Sequence, residues 1–208
     1  VDIGDFATDA AIASGAANAI FRSDDGRIVA DLIDGEGFVR ALDRTTMDIG
    51  FHYPNNAALV VGCGGVGSAI AVSLAGRGIA NLGLVDIDSG VTAALADRIA
   101  ARFPNVRVQC FAAGQADESE YDLLVNGTPL GMNAGDAMPF SIANAKASAV
   151  VADCGMKTEE TELLRLATAR GLRVQKGKEM LFEQAPLYMD RFGWPGSTAA
   201  EFRALGVL

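Results

Sequence analysis

Gly62-Cys63-Gly64-Gly65-Val66-Gly67 has the spacing G-x-G-x-x-G and stands between the apolar run Ala57–Val61 and a segment of helical pattern. In that context each glycine has a task. Gly62 permits a tight turn, Gly64 lets a pyrophosphate approach the backbone, and Gly67 lets a helix pack close to a sheet. Gly65 and Val66 open that helix, whose free N–H groups would meet the phosphates. Asp86 follows Gly67 by 19 residues, at the end of a second apolar run. A carboxylate there accepts hydrogen bonds from both ribose hydroxyls and repels a 2′-phosphate. Ile87 and Asp88 supply no cation to offset that repulsion, and the next arginine is Arg98, inside a helical segment. The expected cofactor is therefore NAD, with NADP less favoured. Asp88 has a structural reading as a helix N-cap. Asn126-Gly127-Thr128-Pro129-Leu130-Gly131-Met132 follows a later apolar run. Ligands of open α/β sheets sit beside such loops, so Asn126 and Thr128 either bond the nicotinamide ribose or order the loop.

These groups need strands and helices in alternation to position them. The continuous apolar run Ala57–Val61 marks a strand buried on both faces of a parallel sheet, and further strands are read at Leu82–Val85, Val106–Phe111, Leu123–Asn126, Ala149–Asp153 and Arg173–Gln175. Helical patterns separate them near 68–76, 91–102 and 161–170, with Gly171 as a C-cap, and a long helix spans 178–192, ending near Gly193 and Pro195. Ahead of this series, residues 1–14 read as helix-like. Ala17–Arg22 and Arg27–Asp31 read as a hairpin turned by Ser23-Asp24-Asp25-Gly26, and 36–48 as a helix. The expected fold is α/β, a doubly wound parallel sheet of Rossmann type, with the remnant of a second, substrate-binding domain. The expected division is 1–45, remainder of the substrate domain; 46–176, the NAD-binding domain; and 177–208, C-terminal helices returning toward the substrate side.

Composition excludes several other classes. The net charge is −9 over 208 residues and no basic stretch occurs, so no nucleic acid is expected as partner. No apolar stretch reaches spanning length, so no membrane is expected. Cys63, Cys110 and Cys154 are odd in number and far apart, without metal-ligand spacing. A reduced, cytoplasmic setting and no metal are expected. Self-association, where it occurs, would give a homodimer. His52, the lone histidine, falls in a connector and reads as exposed.

Five segments in order resemble the shikimate and quinate dehydrogenases. Gly15-Ala16-Ala17-Asn18-Ala19-Ile20 is similar to that family's G-A-V-N-T-I, and Asp34-Gly35-Glu36-Gly37-Phe38 to its N-T-D-G-x-G-F. Val61–Gly67 resembles its glycine loop and Asn126–Met132 its N-A-T-P-L-G-M. Gly177 with Met180-Leu181-Phe182-Glu183-Gln184-Ala185 resembles its G-x-x-M-L-x-x-Q-A. The resemblance implies reversible hydride transfer between a nicotinamide cofactor and a secondary alcohol of a small hydroxy acid such as shikimate or quinate, in aromatic amino acid biosynthesis. It implies that Asn18, Asp34 and Gln184 touch substrate hydroxyls, that Met180 lies at the cofactor, and that Asp34 pairs with a lysine to handle the proton. Each also has a structural reading: Asp34 as a helix cap, Asn18 as a partner for backbone groups, Gln184 as a polar helix face. Gln184 is expected to fold back near Asp34.

Departures from the family pattern matter. The family's serine pair and catalytic lysine lie in a segment without counterpart here, and Lys146, Lys157, Lys176 and Lys178 do not stand at the lysine position. The chain starts with Val, which suits a piece of a longer product, and alone it is expected to be inactive. Leu32 and Ile33 replace Asn-Thr before the aspartate, Met156 replaces a tyrosine after the fifth strand, and Ala19 replaces a threonine. Each exchange removes a polar partner, so the substrate need not be shikimate itself. Two other readings stand beside this one: a non-catalytic NAD-binding regulatory module, and a dehydrogenase of folates or amino acids with a similar cofactor domain. The Gln184 segment speaks against the latter.

Overall fold

The computed structural model describes residues 5–133 and 135–206. A short strand β1 (Phe6–Ala7) leads into helix α1 (Asp9–Ser14), and strands β2 (Ala19–Arg22) and β3 (Ile28–Asp31) form an antiparallel hairpin. β1 pairs in parallel with β3, giving a three-stranded sheet of order β1-β3-β2. Helix α2 (Asp34–Thr45) follows.

The second sheet takes up most of the remaining chain. Its elements are β4 (Ala57–Val61), α3 (Gly65–Gly76), β5 (Asn81–Val85), α4 (Ser89–Arg102), β6 (Arg107–Phe111), β7 (Leu123–Asn126), β8 (Val150–Asp153), α5 (Glu162–Ala169) and β9 (Arg173–Lys176). The six strands are all parallel, in the order β6-β5-β4-β7-β8-β9. This is a doubly wound sheet whose direction of winding reverses between β4 and β7, opening a crevice at their carboxyl ends. All five residues of β4 are buried. Ala58 and Val60 join one core cluster with Ile70, Leu74, Leu84 and Ile99, while Ala57, Leu59 and Val61 join another with Leu124, Val151 and Leu163. Alternate side chains feed the two faces, which is why the strand reads as an unbroken apolar run.

Helix α6 (Gly177–Arg191) returns from β9 to lie on α2, and α7 (Ala199–Leu205) closes the described chain. α2 sits between α3 and α6. Its two glycines make this fit: a Cβ on Gly35 would lie 2.1 Å from the Ala69 carbonyl oxygen, and one on Gly37 would lie 2.3 Å from Gln184 Cγ.

Several boundaries depart from the sequence expectation. Residues 1–4 of the helix-like segment lie outside the described residues. Phe6–Ala7 is strand rather than helix because β3 offers it a parallel partner, and α1 starts only after Thr8, whose hydroxyl accepts from Ala11 N. α2 starts two residues earlier than expected and α3 three earlier, at Gly65. Glycine-rich sequence hides a helix start, since poor propensity is overridden there by packing. α7 lies in the stretch 177–208 expected as C-terminal helices, though the sequence sets limits only for the helix before it. It carries a T-x-x-E capping box, Thr198 with Glu201, and Arg203 ties it to Glu179 and Glu183 of α6.

Candidate functional site

The glycine loop joins β4 to α3. Gly62 adopts φ 88°, and a Cβ on Gly67 would lie 1.7 Å from the Gly62 carbonyl oxygen, so the turn closes only with glycine at both ends. Gly64 and Gly65 are exposed, and a Cβ on either would meet nothing within 4 Å. Gly64 is the N-cap of α3 and provides no capping side chain. The first N–H groups of α3 therefore face an open cradle, which suits a phosphate. Val66 is half-buried against the core.

Asp86 follows β5. Its Oδ2 accepts from Cys63 N at 2.7 Å and its Oδ1 from Asp88 N at 3.1 Å, so the carboxylate is fixed against the glycine loop. Asp88 is the N-cap of α4, accepting from Gly90 N. Ile87 between them is 97% exposed. Arg98 is held elsewhere: its guanidinium donates to the carbonyls of Ala13 and Ser14 at the end of α1. Arg102 pairs with Asp9. A cavity of about 900 Å³ opens on the sheet face away from α3, lined by Val61, Val85, Ala113, Leu130, Phe140 and Leu166 among others. Val61 and Val85 directly precede Gly62 and Asp86, so the cavity adjoins the glycine loop. The open cradle, the fixed carboxylate and the apolar cavity together fit a dinucleotide.

Asn126 is fully buried. Its Oδ1 accepts from Thr128 N and Thr128 Oγ1, and its Nδ2 donates to the Leu130 carbonyl and to Asp153 Oδ1. Thr128 Oγ1 accepts in turn from Leu130 N. Of the two roles expected for this pair, ordering the loop is the one their hydrogen bonds perform. Asp153, passed over in the sequence, anchors the same network: it also accepts from Gly155 N and Thr161 Oγ1. Met180 is 3% exposed within the main core cluster, so its contacts are with the core rather than with an open site.

The second cluster gathers around Asp34, the first residue of α2. Asn18 Nδ2 donates to Asp34 Oδ1 at 2.6 Å and Gln184 Nε2 donates to the same oxygen at 3.0 Å. Gln184 does fold back to Asp34. Asn18 Oδ1 accepts from Ile33 N, which secures the N-terminus of α2. Asp34 is not the helix N-cap; that position is Ile33. Among the described residues, Asp34 Oδ2 has no hydrogen-bond partner and no lysine or arginine pairs with this carboxylate. Burial pushes its pKa up, against the two amide hydrogen bonds, and the net shift is upward. The thiol of Cys154, after β8, is pushed up by burial and by the charges of Asp153 and Asp34, which makes it a poor nucleophile. Met156 is exposed beyond it.

Three further residues of this cluster carried no signal in the sequence. Asp31, buried at the end of β3, accepts from Thr8 Oγ1, Leu32 N and Arg191 Nε at 2.6, 2.8 and 2.9 Å. Burial raises its pKa, but those bonds outweigh it and the net shift is downward. Arg191 and Tyr188 project from α6 toward the same place. His52 is exposed, away from both clusters. Among the described residues no helix is long and apolar enough to cross a membrane, and no His, Cys, Asp and Glu cluster could hold a metal ion.

No family model matches the chain. It is 32% identical over 177 residues to the shikimate dehydrogenase (NADP(+)) of Rubrobacter xylanophilus, covering 85% of this chain and 61% of that protein. It is 33% identical over 173 residues to the quinate/shikimate dehydrogenase (NAD(+)) of Corynebacterium efficiens, covering 82% and 60%. The structure of quinate dehydrogenase from Corynebacterium glutamicum in complex with NAD matches with a TM-score of 0.85 at 27% identity, covering 98% of this chain and 71% of that one. The chain thus spans about three fifths of the length of the curated relatives it matches. Over the part of their length that it spans, the chain is similar to the shikimate and quinate dehydrogenases.

Proposed function

We propose that the protein is a nicotinamide-dependent oxidoreductase that interconverts a secondary alcohol and a ketone on a cyclic hydroxy acid of the shikimate or quinate type, and that it uses NAD in preference to NADP. The observation that carries the chemistry is Asp34, a half-buried carboxylate held on one oxygen by Asn18 and Gln184 and bare on the other. Bound NAD would supply the hydride acceptor. Asp34 Oδ2 would receive the substrate's hydroxyl hydrogen bond and, with a lysine as in the family, carry away the proton that accompanies hydride loss. Gln184 and Asn18 hold that carboxylate in one orientation, which is positioning rather than proton transfer.

Asp86 and its surroundings support NAD. Its carboxylate is pinned beside the glycine loop, and the two arginines of α4 are engaged with α1. A 2′-phosphate would meet a negative charge with no cation at hand. Exposed Ile87 offers an apolar surface for the adenine ring. The three cysteines are unpaired, in keeping with a reduced, cytoplasmic setting.

Parallel titration with NADH and NADPH tests the cofactor reading. NADH should bind more than about tenfold tighter, a difference of roughly 1.4 kcal/mol, and Asp86→Ala should erase the preference. Equal binding, or tighter NADPH, would sink it. Turnover of quinate or shikimate with NAD by the full-length protein tests the reaction. Binding of NADH without turnover of any ring hydroxy acid would instead favour a regulatory module.

A further inference from the structure

Asn18 reaches Asp34 from a short strap, residues 15–17, that leaves the C-terminus of α1. The carbonyls in the last turn of a helix find no partner inside it. Two of those in α1 are taken by Arg98 of α4. Its Nε donates to the Ala13 carbonyl at 3.0 Å and its Nη2 to the Ser14 carbonyl at 2.8 Å. A cation there also suits the negative end of the helix dipole. Gly15 turns the chain at φ 74°, and its lack of a side chain admits the guanidinium: a Cβ there would lie 3.2 Å from Arg98 Cζ. Ser14, buried, holds the strap with its hydroxyl, which accepts from Ala16 N at 3.2 Å. Asn18 N then donates to the Asp31 carbonyl at 3.0 Å, and Asn18 Nδ2 meets Asp34. Arg98 is half-buried, and among the described residues no carboxylate pairs with it. Its helix starts at the N-cap Asp88, two residues past Asp86. Arg102 binds the same two helices together at the other end of α1, through Asp9.

Resting on the function proposed above, we infer that Arg98 is a positioning residue for the reaction, fixing the end of α1 so that Asn18 meets Asp34 in one place. It acts through Asn18, and it ties the reactive carboxylate to the helix that begins beside the glycine loop.

The test measures turnover of quinate and shikimate with NAD by the full-length protein. Arg98→Ala should lower kcat about tenfold, the size of one hydrogen bond, with NADH affinity little changed. Arg98→Lys keeps the charge and reaches one carbonyl, and should fall between the two. Arg102→Ala, at the far end of α1, should match wild type. In an Asn18→Ala background, Arg98→Ala should have no further effect, because residues that act through one another are not additive. An equal loss in both backgrounds, or an equal loss in Arg102→Ala, overturns the inference, since docking of α1 alone would produce either. The side-chain amide signal of Asn18 in a 15N NMR spectrum reads the same placement without turnover. It should move in Arg98→Ala and Arg98→Lys and stay in Arg102→Ala; a signal unmoved by the Arg98 variants overturns the inference. Wild type that turns over no ring acid sinks the proposed function, and the Asn18 signal then decides the placement by itself.

Discussion

Asp31 and Asp34 stand three residues apart and their pKa values move in opposite directions. Asp31 receives three donors, one of them an arginine; Asp34 receives two neutral amides on one oxygen. Two carboxyls driven apart by their surroundings suit separate roles, a structural one for Asp31 and, in the function proposed, a reactive one for Asp34. The consequences for stability have opposite signs. With its pKa lowered on folding, Asp31 contributes stability above the unfolded value near 3.8, and that contribution is lost as pH falls through the folded value. With its pKa raised, ionised Asp34 opposes folding, and stability falls as pH rises from 3.8 through the folded value. Thermal unfolding from pH 3 to 8 should therefore show Asp31→Asn less stable than wild type at pH 7, by about 1–3 kcal/mol for bonds to a charged acceptor, with the gap narrowing in acid. Asp34→Asn should be more stable than wild type at pH 7, an advantage that disappears in acid. Curves of the same sign for the two variants would contradict this assignment.

At the scale of elements, α2 and α3 meet their neighbours through glycine, and the two contacts serve different halves of the site. Gly67 lets α3 start against the glycine loop; Gly37 lets α6 bring Gln184 onto Asp34. Methyl groups at the two positions should separate these functions. Gly67→Ala drives a carbon into a backbone oxygen and should abolish NADH binding in a fluorescence titration. Gly37→Ala presses on the Gln184 side chain instead. It should cost about 1–3 kcal/mol of stability, as overpacking does, and weaken ring-acid binding while NADH affinity survives. Loss of NADH binding in Gly37→Ala would mean that α2 supports the glycine loop more directly than the packing indicates.

For the whole molecule, one core cluster joins what sequence segmentation divides. Phe38, Val39 and Leu42 of α2 share it with Ile70 and Leu74 of α3, Ala58 and Val60 of β4, and Met180 of α6. Arg98 and Arg102 of α4 add bonds to α1. Residues 1–45 and 177–208 are therefore expected to unfold together with 46–176. Circular dichroism and the fluorescence of the single Trp194 should report one coincident transition. Phe38→Ala should lower it by about 3–5 kcal/mol, the usual range for a fully buried aromatic. Two separated transitions would restore independent domains.

The doubly wound sheet and its glycine loop were legible in the sequence because their determinants are local. An apolar run buried on both faces, a glycine turn and an acid at the next strand end each obey short-range rules, and β4 and β7 match their expected limits to the residue. The resemblance supplied Asn18, Asp34 and Gln184 as names, and periodicity alone would have left them as polar residues on a strand, a helix start and a helix face. Their assembly was a matter for the tertiary structure: Asp34 and Gln184 are 150 residues apart in the chain and 3.0 Å apart in space. So was the difference in surroundings between Asp31 and Asp34. A carboxylate's chemistry depends on which donors reach it and how much water remains. Those partners arrive from Thr8 ahead of α1, from Asn18 ahead of β2 and from Gln184 and Arg191 of α6, and no short window of sequence contains them all.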